Sequence, residues 1–207
     1  GSAVSMTGTV IANEKVKLGG IELRVDAVVV ESVAETPLPV DSKSALEHQM
    51  DWRHLSIRFP RNLLIFKVQT TIEEAMREFW RDNWFLEIHS PKLLATASES
   101  GAELFQLPYF GTTACLAQSP QFYKQMAMAA GMERVFEIGP VFRANPSFTS
   151  RHDTEFTSVD MEVSWITSHE DIMDLEERWL TYVLTRVAQA HGDEIKQLFD
   201  VSVTVPT

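Results

Sequence analysis

Between Val135 and Trp165 the side chains alternate with a period of two on either side of a polar loop, and this constrains the fold more than any other feature of the chain. Before the loop, Glu137, Gly139, Val141 and Arg143 share one parity. After it, Phe156, Ser158, Asp160 and Glu162 share one face, and Thr157, Val159, Met161, Val163 and Trp165 share the other. Two strands joined by the loop Asn145 to Ser150 are expected, with an apolar face for a core and a carboxylate-rich face closed by one aromatic. Like charges side by side on a strand face repel. The row is therefore either solvated sheet surface or a face with a task, and the pattern leaves both readings open.

The flanking segments change period. Ile72, Ala75, Met76, Phe79 and Trp80 fall on one side of a helix that ends near Asn83. A short strand, Phe85 to His89, follows and is closed by Pro91. A second helix is expected over Gln121 to Ala130, stopped by Gly131. A third begins at Thr167, where Thr-Ser-His-Glu has the spacing of a capping box with Glu170, and runs to about His191-Gly192. The first forty residues read instead as strands. Val4, Met6, Gly8 and Val10 share a parity, the Gly19-Gly20 pair closes a turn, and Ile21, Leu23 and Val25 resume the alternation before the run Val28 to Val30. Two or three strands cannot bury both faces, so residues 1–35 are expected to be the tail of a β-domain. Residues 36–47, with Pro37 and Pro39, form a hinge, and residues 48–207 a second domain.

Composition narrows the classes. A net charge of −11 excludes holding nucleic acid by bulk electrostatics but leaves room for a local basic patch. Cys115 is the only cysteine, which excludes an internal disulfide and a cysteine-rich zinc site. Apolar runs fall far short of the roughly 20 residues that span a bilayer. No charged-then-apolar leader opens the chain, so no membrane role and a reducing, cytoplasmic location are expected.

Four stretches in order resemble class II aminoacyl-tRNA synthetases of the aspartyl/asparaginyl/lysyl subgroup. Phe136 to Ala144, then Arg151-His152, Thr154 to Phe156 and Asp160 to Glu162, look like motif 2. Glu87 to Pro91 resembles motif 1, and Ala117 to Gln125 resembles the amino-acid-binding segment of aspartyl enzymes. The β-stranded front is similar to the end of the OB-fold anticodon domain of that subgroup. The fold implied is α+β: a class II catalytic core, mainly an antiparallel sheet flanked by helices, preceded by the C-terminal strands of an OB-fold barrel.

The resemblance implies ATP-dependent activation of L-aspartate and transfer to tRNA(Asp), with tRNA(Asn) left open. Arg143 would hold the α-phosphate and substrate carboxylate, Phe156 would stack on adenine, and Arg151 and His152 would reach the β- and γ-phosphates. Lys124 would meet the side-chain carboxylate of aspartate, since neutral asparagine would leave that ammonium buried without a counter-charge. Ser119 and Gln121 would orient the substrate, Glu99, in a lid at 98–103, would lie near its ammonium group, and Pro91 would sit at a homodimer interface. Magnesium is implied as well, with its ligands outside this chain.

Asn145 departs from the glutamate usual in the family, which unsettles any contact assigned to that position. The chain stops before a glycine-rich third motif, so the 207 residues alone are expected to be inactive. Competing readings are an asparaginyl enzyme, disfavoured by Lys124, and a synthetase-like paralogue, either an amidoligase or a regulatory binding module.

Overall fold

Gly8 lies where β1 (Ala3–Ala12) and β2 (Ile21–Ser32) run so close that a Cβ would stand 2.1 Å from the Arg24 carbonyl oxygen. No other residue fits there without moving backbone, and the antiparallel register shifts at that point. The turn between the strands uses Gly19 and Gly20 at φ 70° and 66°, where a side chain is disfavoured. Val10, Ile21, Val28 and Val29 of this two-stranded sheet are all more than half exposed. The structure, a computed structural model, describes residues 1–206 apart from 18, 99–102, 147, 148 and 150. It divides into two compact units, Gly1–Leu63 and Leu64–Thr207.

The first unit also holds α1 (Leu46–Asp51) and α2 (Arg53–Ser56), which the sequence reading did not anticipate. Helices this short carry too few turns for a period to show. They are tied locally: Gln49 donates from Nε2 to the Ser44 carbonyl at 2.7 Å, and Ser56 Oγ donates to the Gln49 carbonyl at 3.0 Å.

Helix α3 (Pro60–Asp82) is longer than the apolar stripe suggested, and starts with a proline, whose missing N–H costs nothing in a first turn. Its stripe is core. Phe79 and Trp80 pack with Phe85, Phe136, Ile138 and Leu175, and Met76, Val159, Met161, Val163, Trp179 and Tyr182 close around them. Trp80 stacks on Trp179 with centroids 5.4 Å apart. Strands β3 (Leu86–Glu87), β7 (Arg134–Phe142) and β8 (Glu155–Val163) form one sheet in the order β3-β7-β8, with β3 parallel and β8 antiparallel to β7. Val159, Met161 and Val163, expected on one face of β8, are in the core; Trp165, expected with them, lies past the strand end in a left-handed conformation at φ 62° and is 84% exposed. A second sheet, β4 (Leu93–Leu94), β6 (Thr112–Leu116) and β5 (Gln106–Tyr109), is antiparallel in the order β4-β6-β5. Between the sheets in sequence lies α4 (Gln121–Ala129), ending before Gly131 at φ 88° as expected.

The last helix, α5 (Glu170–Phe199), corrects the sequence reading at both ends. The anticipated capping box is absent. Asp171, not Glu170, turns back, accepting from the Thr167 N–H at 2.7 Å, the Ser168 N–H at 3.1 Å and the Thr167 hydroxyl at 2.9 Å. Ser168 Oγ accepts from the Glu170 N–H at 3.1 Å. At the other end the helix runs through Gly192. A helical glycine costs about 0.5–1 kcal/mol, and the half-buried Ile195 and Leu198 continue the stripe past it. Asp200 takes the left-handed terminal position at φ 56°.

Those donors hold the Asp171 carboxyl below the usual carboxylate range, the Thr167 N–H foremost. Asp171→Ala is expected to lower the melting temperature at neutral pH. The difference from the parent should vanish as pH falls through the depressed pKa, because protonation removes the same contact. Thermal melts between pH 7 and 2 check this. Among the described residues, no helix is long and apolar enough to cross a membrane.

Candidate active site on the β7–β8 sheet face

The face of the sheet away from the core pairs Val135 with Glu162, Glu137 with Asp160, Gly139 with Ser158 and Val141 with Phe156. Directly opposite residues share a face in an antiparallel pair, so the two sequence-predicted rows form one surface. Arg143 follows β7, its N–H donating to the Thr154 carbonyl at 2.9 Å. Its guanidinium carbon lies 5.4 Å from the centroid of the Phe156 ring. A planar cation beside an aromatic face is a favourable contact, and both side chains are half-buried.

At the carboxylate end of the face stands α4. Its entry is shaped by serine: Ser98 Oγ accepts from the Gln118 N–H at 3.1 Å, and Ser119 Oγ accepts from the Gln121 N–H at 3.3 Å. One turn in, Lys124 points at the sheet with only 5% of its side chain exposed, and is ion-paired with Asp160. Its Nζ also lies 3.2 Å from Glu162 Oε2 and donates to the Met161 carbonyl at 3.4 Å.

This corrects one step of the sequence argument. The Lys124 ammonium is buried, but it has two counter-charges in the protein itself. The strand carboxylates were legible as an unusual row; their partner on α4 was not, because nothing in the chain's order shows which helix crosses which face.

The remaining predicted residues spread around this centre. Ser119 is buried and Gln121 half-buried, both leading into α4. Arg151 and His152 are exposed on the loop after Arg143, where the His152 ring Nδ1 lies 2.6 Å from Thr149 Oγ1. Pro91 is exposed beyond β3. Glu99 lies outside the described residues. Asn145 has a local use, donating from Nδ2 to the Asp153 carbonyl at 3.5 Å across the loop stem, which a carboxylate cannot do. Among the described residues, no three His, Cys, Asp or Glu side chains are grouped to hold a metal. Asp160 and Glu162 do not fit a magnesium cradle, since a cation there would meet the Lys124 ammonium.

The sequence reading missed a second ion pair on the same face. Glu137, 3% exposed, accepts from Lys92 Nζ at 2.6 Å, from Ser90 Oγ at 2.6 Å and from the Ser90 N–H at 3.1 Å. The face thus carries two ion-paired groups side by side, Lys92 with Glu137 and Lys124 with Asp160 and Glu162, with Glu137 and Asp160 adjacent across the strands.

Residues 45–206 match the family described as tRNA synthetases class II (D, K and N). An aspartate–tRNA(Asp) ligase of Pyrococcus abyssi is 45% identical over 199 residues, covering 94% of this chain and 45% of the relative. An aspartate–tRNA(Asp/Asn) ligase of Methanopyrus kandleri is 44% identical over 201 residues, covering 95% and 46%. The crystal structure of asparaginyl-tRNA synthetase from Pyrococcus horikoshii complexed with asparaginyl-adenylate superposes with a TM-score of 0.87 at 35% identity, covering 95% of this chain and 45% of that one. The chain therefore spans about half the length of the proteins it matches.

Proposed function

The chain belongs to the class II tRNA synthetases of the D, K and N group, and from that we propose that the protein activates L-aspartate with ATP and passes the aspartyl group to tRNA. The observation that carries this reading is the pairing of Lys124 with Asp160 and Glu162 on the face that also holds Arg143 and Phe156. An amino acid with an acidic side chain offers one ammonium and two carboxylates. The face offers one cation between two anions, with an arginine beyond. In this reading Lys124 meets the side-chain carboxylate, while Asp160 and Glu162 turn toward the substrate ammonium.

In activation the substrate α-carboxylate attacks the α-phosphorus of ATP. An O–P bond forms, and the bond to the departing pyrophosphate breaks. No protein nucleophile is needed. The demand is to hold two anions together and stabilise charge on the phosphorus oxygens, which a planar guanidinium does through paired donors. Arg143 is assigned that role, Phe156 the adenine ring, and Arg151 and His152 the outer phosphates. Ser119, Gln121 and Glu99 are assigned to orienting the amino acid. Magnesium, where present, neutralises phosphate charge.

The exposed apolar side chains of β1 and β2 support assigning them to a larger β-domain of the anticodon-binding OB type, since a two-stranded hairpin cannot bury them. The exposed Pro91, with Ile65 and Phe66 exposed on α3, supports a homodimer. A cytoplasmic setting goes with tRNA as partner.

The asparaginyl reading draws on the P. horikoshii structure, and ATP–pyrophosphate exchange separates the two. The full-length protein is expected to exchange with aspartate and not with asparagine. Exchange with asparagine alone would move the protein to the asparaginyl group, and none with either would move it to a paralogue without ligase activity.

A further inference from the structure

Glu137 and Lys92 lie outside every role assigned above, yet they occupy the middle of the same face. Glu137 stands directly opposite Asp160 across the β7–β8 pair. Two carboxylates in that relation repel, and a row of like charges is stable only with cations between or beside them. The groups facing the pair are Lys92 and Ser90 from the segment after β3, Lys124 from α4 and Glu162 from β8. Lys124 is taken by Asp160 and Glu162. Lys92 is therefore the cation that serves Glu137, 2.6 Å away, and it also donates to Ser90 Oγ at 3.0 Å.

The backbone ties this pair to the rest of the site. The Lys92 carbonyl accepts from the Ala117 N–H at 2.9 Å, just before the turn that launches α4. The Ala117 carbonyl accepts from the Phe142 N–H at 2.9 Å, next to Arg143. Gly139 leaves room for the pair: a Cβ there would stand 3.2 Å from Glu137 Oε1 and 3.6 Å from Lys92 Nζ.

We propose that Lys92 and Glu137 are positioning residues of the amino-acid site: their ion pair holds Glu137 away from Asp160, so that the Asp160 carboxylate stays turned toward Lys124 and the substrate ammonium. The inference rests on the aspartate-activation reading for its substrate and on the charge geometry for everything else. Without Lys92, Glu137 and Asp160 share their face with one cation fewer. Glu137 then competes with Asp160 and Glu162 for Lys124, and an Asp160 carboxylate pushed out of place holds an ammonium group poorly.

The test uses the full-length protein with Lys92→Met, the double variant Lys92→Met/Glu137→Gln, and Lys92→Met/Asp160→Asn. Exchange kinetics run at neutral pH over a range of aspartate concentrations with the wild type in parallel. Lys92→Met is expected to raise the aspartate KM about tenfold, with kcat changed less than about threefold. Adding Glu137→Gln, which removes the excess charge, should bring KM back. A merely structural pair predicts a lowered melting temperature with the aspartate KM unmoved, and a double variant no better than the single; that result overturns the proposal. If the wild type does not exchange with aspartate, the function reading fails on its own, and melting still decides this inference. Asp160→Asn should recover part of the stability lost in Lys92→Met if the two carboxylates repel, and should only add to the loss if they do not.

Discussion

Replacing Arg143 by lysine in the full-length protein is expected to lower aspartate-dependent ATP–pyrophosphate exchange by about 10²–10³-fold. Lysine keeps the charge but loses the planar fork, so one ammonium must serve oxygens that the guanidinium would hold with paired donors. It also loses the flat contact beside Phe156, 5.4 Å away. The loss should fall on kcat as much as on KM for ATP, because the charge to be stabilised is largest in the transition state. The melting temperature should change by only a few degrees, since the side chain is half-buried and outside the aromatic core. A variant that exchanges at a near-parental rate removes Arg143 from the reacting phosphate.

Lys124→Met carries the second large effect, and it acts on folding as well as function. The methionine leaves Asp160 and Glu162 two residues apart on one strand face without their cation. Removing one partner of a buried pair costs about 3–5 kcal/mol. Asp160 and Glu162 keep 24% and 30% of their side chains exposed, so the expected loss is smaller, about 2–3 kcal/mol by denaturant titration. Exchange with aspartate should fall by about 10³-fold. Asparagine should not gain in return, because the two remaining carboxylates still need a cation. A stable Lys124→Met protein with normal aspartate kinetics contradicts both halves of the argument.

Much of the site could be read from residue order because strand parity is local information. The faces of β7 and β8 followed from alternation alone, and so did the division between core residues such as Val159 and Met161 and the row Phe156 to Glu162. The stripe on α3 and the glycine after α4 were legible for the same reason. The misreadings all involve choices that local spacing cannot rank. Thr167-Ser168 could turn back to Glu170 or Asp171, and the geometry of the first turn chose Asp171. Gly192 looked like a stop because the weight of Ile195 and Leu198 depends on tertiary packing. The Lys92–Glu137 pair joins residues 45 apart, and Lys124–Asp160 residues 36 apart. Only the crossing of α4 over the sheet, and the path of the chain after β3, bring them together. This changed the chemistry inferred: Lys124 is already neutralised before any substrate arrives. In the proposed aspartate reading, selectivity comes from redistributing charge within a cluster, not from filling an empty positive site.

The most direct measurement is calorimetric binding of two unreactive adenylate mimics, the aspartyl and asparaginyl sulfamoyl adenosines, to the full-length protein and its Lys124→Met variant. The account predicts that the wild type binds the aspartyl mimic at least about 100-fold more tightly, about 2.7 kcal/mol, and that Lys124→Met removes most of that preference. Equal binding by the wild type, a preference for the asparaginyl mimic, or a preference that survives the loss of Lys124 would contradict it.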